Sequence, residues 1–222
     1  MINNHGIPCK LCGKVTGKIA SVTSAVYYHC PRCDLIFLDE EYLIDEKEEH
    51  YRYKQHNNSL DNKGYVDYLT KFIKNAGIDR ARGIKKALDF GCGPGPVLKV
   101  LLSRLGFDVD IYDPYFFPER VFEKKQYDLI TCTEVLEHLK NPLEVLILLE
   151  SLLKENGILA VMTLFHTTSD NFKQWWYRRD PTHICFYSPK TFKWIENNFN
   201  LTIKTIDNRS VCVLQKNVRT GG

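Results

Sequence analysis

Eight cysteines stand in this chain, and four of them are paired by spacing: Cys9-Lys-Leu-Cys12 and Cys30-Pro-Arg-Cys33, seventeen residues apart. Two such pairs predict a four-cysteine zinc site. Zn²⁺ takes four soft ligands in a tetrahedron, and each C-x-x-C turn presents two sulfurs to one ion. Four cysteines leave no open coordination position, so the site is structural. The alternatives are disulfides, disfavoured in a cytosolic chain, and a redox pair, which needs no second copy. Cys92, Cys132, Cys185 and Cys212 are scattered and read as small buried fillers.

A second group of residues suits ligand binding rather than metal. Residues 85–96 read KKALDFGCGPGP, with Asp89 ahead of Gly91, Gly93 and Gly95. An apolar run, a glycine-rich turn and a helical pattern in this order place a ligand at the carboxyl end of a strand. Glycine allows positive φ and lets a ligand approach the backbone. The spacing is not the dinucleotide fingerprint G-x-G-x-x-G, because Pro96 stands where its third glycine would, and no Gly-Lys-Ser/Thr of a phosphate loop is present. An ordinary glycine-rich turn is the bland alternative. The next run, DVDIYDP, ends on Asp113, and an acid at the end of a second strand accepts hydrogen bonds from ribose hydroxyls. Further on, YDLITCTEVLEHL carries Thr133, Glu134, Glu137 and His138, and His166 and His183 follow. A histidine at a strand end is a general base near neutral pH.

These motifs resemble those of the class I S-adenosylmethionine-dependent methyltransferases. Asp-x-Gly-x-Gly-x-Gly resembles their first motif, and YDLITCTEVLEHL the fourth-strand motif of the ubiquinone-biosynthesis type of O-methyltransferase. The resemblance implies S-adenosyl-L-methionine as cofactor, with Asp89 at its methionine amino group. It implies a pocket lined by Gly91, Cys92, Gly93 and Gly95, with Asp113 on the ribose. Pro114 and Tyr115, or Phe116, would cover the adenine, with Thr133 and Glu134 forming the wall toward the acceptor. A helix before the first strand would cross the pocket, so His56, Asn57, Tyr65 and Tyr68 are candidate contacts; simple packing of the tyrosines is the rival reading. The string WWYRRDPTHICFYSP resembles an acceptor-side loop. E-x-x-E-H also resembles the cluster with which Hen1-type RNA methyltransferases hold a divalent ion. By that route Glu134, Glu137 and His138, with His183 or His166, hold Mg²⁺ or Mn²⁺. A histidine base without metal and no specific base remain the alternatives.

The elements that must position these groups follow from pattern. Residues 1–38 are expected as a zinc ribbon whose ligand pairs flank a Val/Ile/Thr/Tyr-rich hairpin. His5 and His29, beside a complete cysteine set, read as surface or packing residues. Residues 39–82 are expected as an acidic linker, solvated or on a helix face, followed by the pocket-covering helix closed at Gly77. Residues 83–222 are expected as an α/β domain. By the resemblance it is a Rossmann-like, doubly wound, seven-stranded sheet whose third unit is abbreviated. Asn141-Pro142 predicts a helix start, the helix running to Gly157, with GILAVMTLF as the next strand.

The 222 residues carry 30 basic and 27 acidic side chains, a net charge of +3. That balance argues against a nucleic-acid or membrane surface. No apolar run reaches the roughly 20 residues that span a bilayer. The first ten residues have no apolar signal core, so a cytoplasmic location is expected. A small-molecule methyl acceptor, methylated at a hydroxyl oxygen or, as the lesser option, at carbon, is the expected partner. RNA gripped by the ribbon is one alternative, with Lys10, Lys14, Lys18 and Arg32 decorating it, and a non-catalytic partner-binding scaffold is another.

Overall fold

The computed structural model describes residues 6–19, 25–55 and 58–218; His5, His56 and Asn57 lie outside the described residues. An antiparallel meander is formed by β1 (Gly17–Ile19), β2 (Tyr27–His29) and β3 (Ile36–Leu38), with the first cysteine pair ahead of β1 and the second in the turn between β2 and β3. The acidic segment is helical: α1 (Glu46–Lys54) starts at Asp45, whose side chain accepts from the Glu48 amide at 2.9 Å. A short polar residue at this position satisfies an otherwise unpaired N–H. Next comes α2 (Lys63–Asn75), which buries Leu69, Phe72 and Ile73 on one face. Gly77 follows it at φ +68°, the left-handed conformation expected after a helix end.

The α/β part runs β4 (Lys86–Phe90), α3 (Val97–Arg104), β5 (Asp108–Tyr112), β6 (Tyr127–Thr133), α4 (Pro142–Leu152) and β7 (Leu153–Met162). It continues with α5 (Ser169–Phe172), β8 (Cys185–Phe186), α6 (Pro189–Asn198), β9 (Leu201–Ile206) and β10 (Val211–Lys216). The large sheet has the order β5-β4-β6-β7-β10-β9, parallel except for β10, which is antiparallel to both neighbours. Among the described residues it has six strands, not the seven expected. Residues 114–126 hold no helix or strand, so the third unit is reduced to turns rather than shortened. Among the described residues no helix is long and apolar enough to cross a membrane.

Two boundaries differ from the pattern. Helix α4 stops at Leu152, not near Gly157, and β7 starts directly at Leu153. Lys216 explains the stop: its Nζ donates to the carbonyls of Glu150 (2.7 Å) and Leu153 (2.9 Å). A cation on the last carbonyls of a helix caps it, and this one arrives from the far end of the chain. Asn141 makes no side-chain capping bond; Pro142 alone marks the start.

The meander does not stand apart. β3 pairs with β8, so its sheet is completed by a strand from the second half of the chain. Apolar side chains of both parts, among them Phe37, Tyr27, Phe172 and Phe186, belong to one continuous core. The string WWYRRDPTHICFYSP, expected as an acceptor-side loop, contributes Tyr177, Phe186 and Tyr187 to the buried side chains, with Phe172 just ahead of it.

Asp128 at the start of β6 accepts from the amides of Lys85 (3.0 Å) and Lys86 (2.8 Å), and from Lys154 Nζ (2.8 Å). Burial alone would raise its pKa; the lysine and the two amides outweigh it and hold the carboxyl below its ordinary value. Stability from a depressed carboxylate is present above its unfolded pKa and is lost as pH falls through the folded one. Asp128→Ala is expected to cost about 1–2 kcal/mol at pH 7. The cost should shrink below about pH 4, as measured by urea unfolding at both pH values.

Candidate active site

The carboxyl ends of β4, β5 and β6 meet around a cavity of about 670 Å³, a usual size for a small-molecule site. The backbone bends sharply after β4. Gly91 has φ +80° and donates its amide to the Tyr112 carbonyl at 2.8 Å; Gly93 has φ +66°. A methyl group added at Gly91 would lie 2.2 Å from Val135 Cγ2. Glycine is thus required at Gly91 by both backbone and neighbour. Of the residues expected to hold the cofactor, Asp89, Gly91, Cys92, Gly93, Asp113, Pro114, Tyr115, Thr133, Glu134 and Tyr65 line the cavity. Gly95 is not part of its wall. A methyl group there would lie 1.7 Å from the Asn58 carbonyl oxygen, so its smallness serves the approach of the segment before α2.

Two carboxyls dominate the electrostatics. Asp89 is buried, and burial pushes its pKa up to about 7; a hydrogen bond from Thr131 Oγ1 (3.0 Å) opposes the shift and nearby Asp113 adds to it. Glu134 is pushed up to about 8, first by burial and then by Glu137. It receives hydrogen bonds from Tyr68 Oη (2.8 Å) and Tyr177 Oη (3.2 Å). Glu134 also has φ +52°, a strained conformation for a side-chain-bearing residue of the kind that gathers at functional sites. Asp113 is already engaged: Oδ2 accepts from the Gly93 amide (3.0 Å), and Oδ1 from the amides of Tyr115 (2.9 Å) and Phe116 (3.1 Å). The carboxylate ties the glycine loop to the turn after β5, a role that the strand-end reading did not contain.

His138 and His183 line the cavity with their rings 4.8 Å apart. His138 Nδ1 lies 2.9 Å from the Thr182 carbonyl and His183 Nδ1 2.8 Å from the Tyr177 carbonyl. A carbonyl only accepts, so each Nδ1 carries the proton and, in the neutral ring, each Nε2 carries a lone pair. Glu137 is fully buried behind them, hydrogen-bonded by Tyr177 Oη, and among the described residues its Oε2 has no hydrogen-bond partner. His166, counted with the catalytic histidines in the sequence, does not belong here. It is buried beneath the meander, its Nε2 donating to the Asp34 carbonyl at 2.9 Å.

The sequence missed one wall altogether. From α1, Glu46, Glu49 and Tyr53 line the cavity. Glu49 accepts from Tyr53 Oη (2.9 Å) and Tyr115 Oη (3.1 Å), and His50 stacks on Tyr115 at 4.9 Å. The helix has almost no apolar face, so periodicity could not show that it packs inward; its Asp45 cap was the available signal. Trp176 and Tyr177 also line the cavity, whereas Trp175 packs on Phe172 and Phe186.

The four ribbon cysteines converge with their sulfurs within 4.8 Å of one another. Cys9 and Cys33 sulfurs are 3.5 Å apart, and Cys12 and Cys30 sulfurs 3.3 Å. A disulfide would bring two sulfurs to about 2 Å. The Leu11 amide also points at Cys9 Sγ (3.4 Å), a contact that suits a thiolate. The donor set fits Zn²⁺. Among the described residues one other group has metal-ligand potential: Glu137, His138 and His183, their ligand atoms also within 4.8 Å.

A family model described as a methyltransferase domain matches residues 55–206. The ubiquinone biosynthesis O-methyltransferase of Histophilus somni is 32% identical over 119 residues, 41% of this chain and 48% of that protein. The mitochondrial enzyme of the same name from Schizosaccharomyces pombe is 28% identical over 133 residues, 49% of this chain and 47% of that protein. The chain thus spans about half the length of these curated relatives. Among solved structures, the plantazolicin methyltransferase BpumL in complex with SAH superposes with a TM-score of 0.51 at 13% identity, over 78% of this chain and 91% of that one. A SAM-dependent methyltransferase from Archaeoglobus fulgidus gives 0.51 at 16% identity, over 78% and 100%. The likeness to these two structures shows the fold.

Proposed function

The chain belongs to the class I S-adenosylmethionine-dependent methyltransferase family, and from that membership we propose that it methylates a small-molecule acceptor at a hydroxyl oxygen. The carrying observation is the pair His138 and His183, whose Nδ1 atoms are committed to backbone carbonyls. S-adenosylmethionine supplies an electrophilic methyl group. The chain's own task is to align the acceptor and remove its proton as the oxygen is methylated; alignment supplies much of the acceleration. An imidazole Nε2 at the cavity wall is a base suited to neutral pH. Trp176 and Tyr177 give the acceptor an aromatic wall. That the sequence relatives are named O-methyltransferases supports oxygen over carbon.

The test is a methyl-transfer screen over hydroxylated metabolites. His138→Gln and His183→Gln, assayed on the acceptor found, should show at least one variant losing about 10²–10⁴ in kcat. Its S-adenosylhomocysteine (SAH) affinity should change little. Full activity in both variants would sink the histidine base.

A second reading rests on Glu137 Oε2, buried, without a hydrogen-bond partner among the described residues, and close to both imidazoles. A divalent ion there would orient the acceptor oxygen and lower its pKa. Two imidazoles and one carboxylate suit a transition ion such as Mn²⁺ better than Mg²⁺. Activity that survives EDTA, with zinc content unchanged, excludes this reading; loss restored by Mn²⁺ supports it.

A further inference from the structure

The four-cysteine segment is fastened by backbone pairing and by Asp34 to the strand and loop that carry His183. β3 begins three residues after Cys33, and its Ile36 and Phe37 pair with Phe186 and Cys185. The Leu38 amide donates to the Ile184 carbonyl (2.8 Å), and the Ile184 amide donates to the Glu137 carbonyl (2.7 Å). Asp34, directly after the last cysteine, makes the joint. Its Oδ2 accepts from Ser188 Oγ (2.6 Å), Oδ1 lies 2.8 Å from His29 Nε2, and its carbonyl accepts from His166 (2.9 Å).

The held segment builds the acceptor side. It carries His183, and its Tyr177 and Thr182 carbonyls receive the Nδ1 protons of His183 and His138. By contrast, Asp89 and Asp113 sit at the ends of β4 and β5, which pair with strands of the large sheet. A small module with little core of its own takes its order from metal.

We propose that the metal-bound ribbon is a positioning element for methyl acceptance: through Asp34 and the pairing of β3 with β8 it holds the segment that carries His183 and fixes both histidine tautomers. The cofactor half of the cavity does not depend on it. The inference rests on the methyltransferase reading for its meaning, and its test reads something else.

Backbone hydrogen exchange is followed by mass spectrometry in peptides covering residues 180–187 and 86–93, with SAH affinity measured in parallel. Removing zinc with a strong thiol-competing chelator should speed exchange in 180–187 roughly tenfold or more while 86–93 stays protected. SAH affinity should stay within about twofold, under 0.5 kcal/mol. Asp34 has φ +62°, so Asp34→Gly removes the carboxylate without backbone strain. With zinc in place it should loosen 180–187 in the same way, and Asp34→Asn, which keeps an acceptor, should restore part of the protection. If metal removal unfolds the whole chain, or leaves 180–187 unchanged, the inference is overturned; so too if Asp34→Gly weakens SAH binding as strongly as it loosens the segment. Failure of the intact protein to bind SAH would instead overturn the methyltransferase reading, and the exchange comparison would still decide this one.

Discussion

Gly91→Ala is expected to remove SAH binding and lower the melting temperature by roughly 5–15 °C. The Gly91 backbone sits at φ +80°, which costs a side-chain-bearing residue about 1–2 kcal/mol. The added methyl would meet Val135 Cγ2 at 2.2 Å, and crowding of this kind costs about 1–3 kcal/mol. Together about 2–5 kcal/mol is expected. The functional loss has a separate cause. Val135 follows Glu134, itself at φ +52°, and leads into the 3₁₀ turn Leu136–His138. Pushing Val135 away shifts both Glu134 and His138. Gly13→Ala is the control: φ is +69° but nothing lies within 4 Å of the added methyl, so only the backbone cost of about 1–2 kcal/mol applies. Thermal unfolding and SAH calorimetry on both variants separate the effects. Equal behaviour of the two variants would show that the contact with Val135 has no consequence.

SAH should bind with release of protons, and more tightly as pH rises. In the free protein burial pushes Asp89 up to about 7 and Glu134 up to about 8. A ligand ammonium placed beside either carboxyl favours its ionised form, so protonation and ligand compete. Affinity should fall about tenfold per pH unit below pH 7 and level off above pH 8. The sign for stability is the opposite. A carboxyl with a raised folded pKa lends stability below its unfolded value of about 4 and loses it as pH climbs through the folded one. The ligand-free protein should therefore be less stable at pH 9 than at pH 6, with the deficit reduced by SAH. Calorimetry in buffers of different ionisation enthalpy counts the protons directly. An affinity constant from pH 6 to 8.5, without proton exchange, would show that neither carboxyl meets the ligand charge. Asp89→Asn should remove most of the pH dependence below pH 7.

Much of the site was legible from short-range pattern. The residues from Asp89 to Gly93, with Asp113, Thr133 and Glu134, all stand at the carboxyl ends of strands, and strand ends show in sequence as a change from apolar run to turn. Helix α1 was not legible, because its inward contacts are Glu49 and Tyr53 and it has no apolar stripe. His166 misled for a related reason. It follows a strand as an active-site histidine would, yet its backbone leads beneath the meander to Asp34. Gly95 resembled a ligand contact because a glycine required by a chain crossing, here that of Asn58, looks the same as one required by a ligand.

By itself the sequence determined the chemistry available: two cysteine pairs that suit one metal ion, and a glycine turn between acidic strand ends. It also carried the order of strand and helix that makes a nucleoside-cofactor site. Local spacing settles these, since ligand turns, strand ends and helix caps each depend on a few neighbouring residues. Only the tertiary structure decided the rest. It reduced the sheet to six strands, and it joined β3 to β8 across nearly 150 residues of chain. It placed His138 and His183, but not His166, on the cavity wall, and it raised Asp89 and Glu134 by burying them. Each is a contact between distant segments, whose energy depends on packing and desolvation that no local pattern carries.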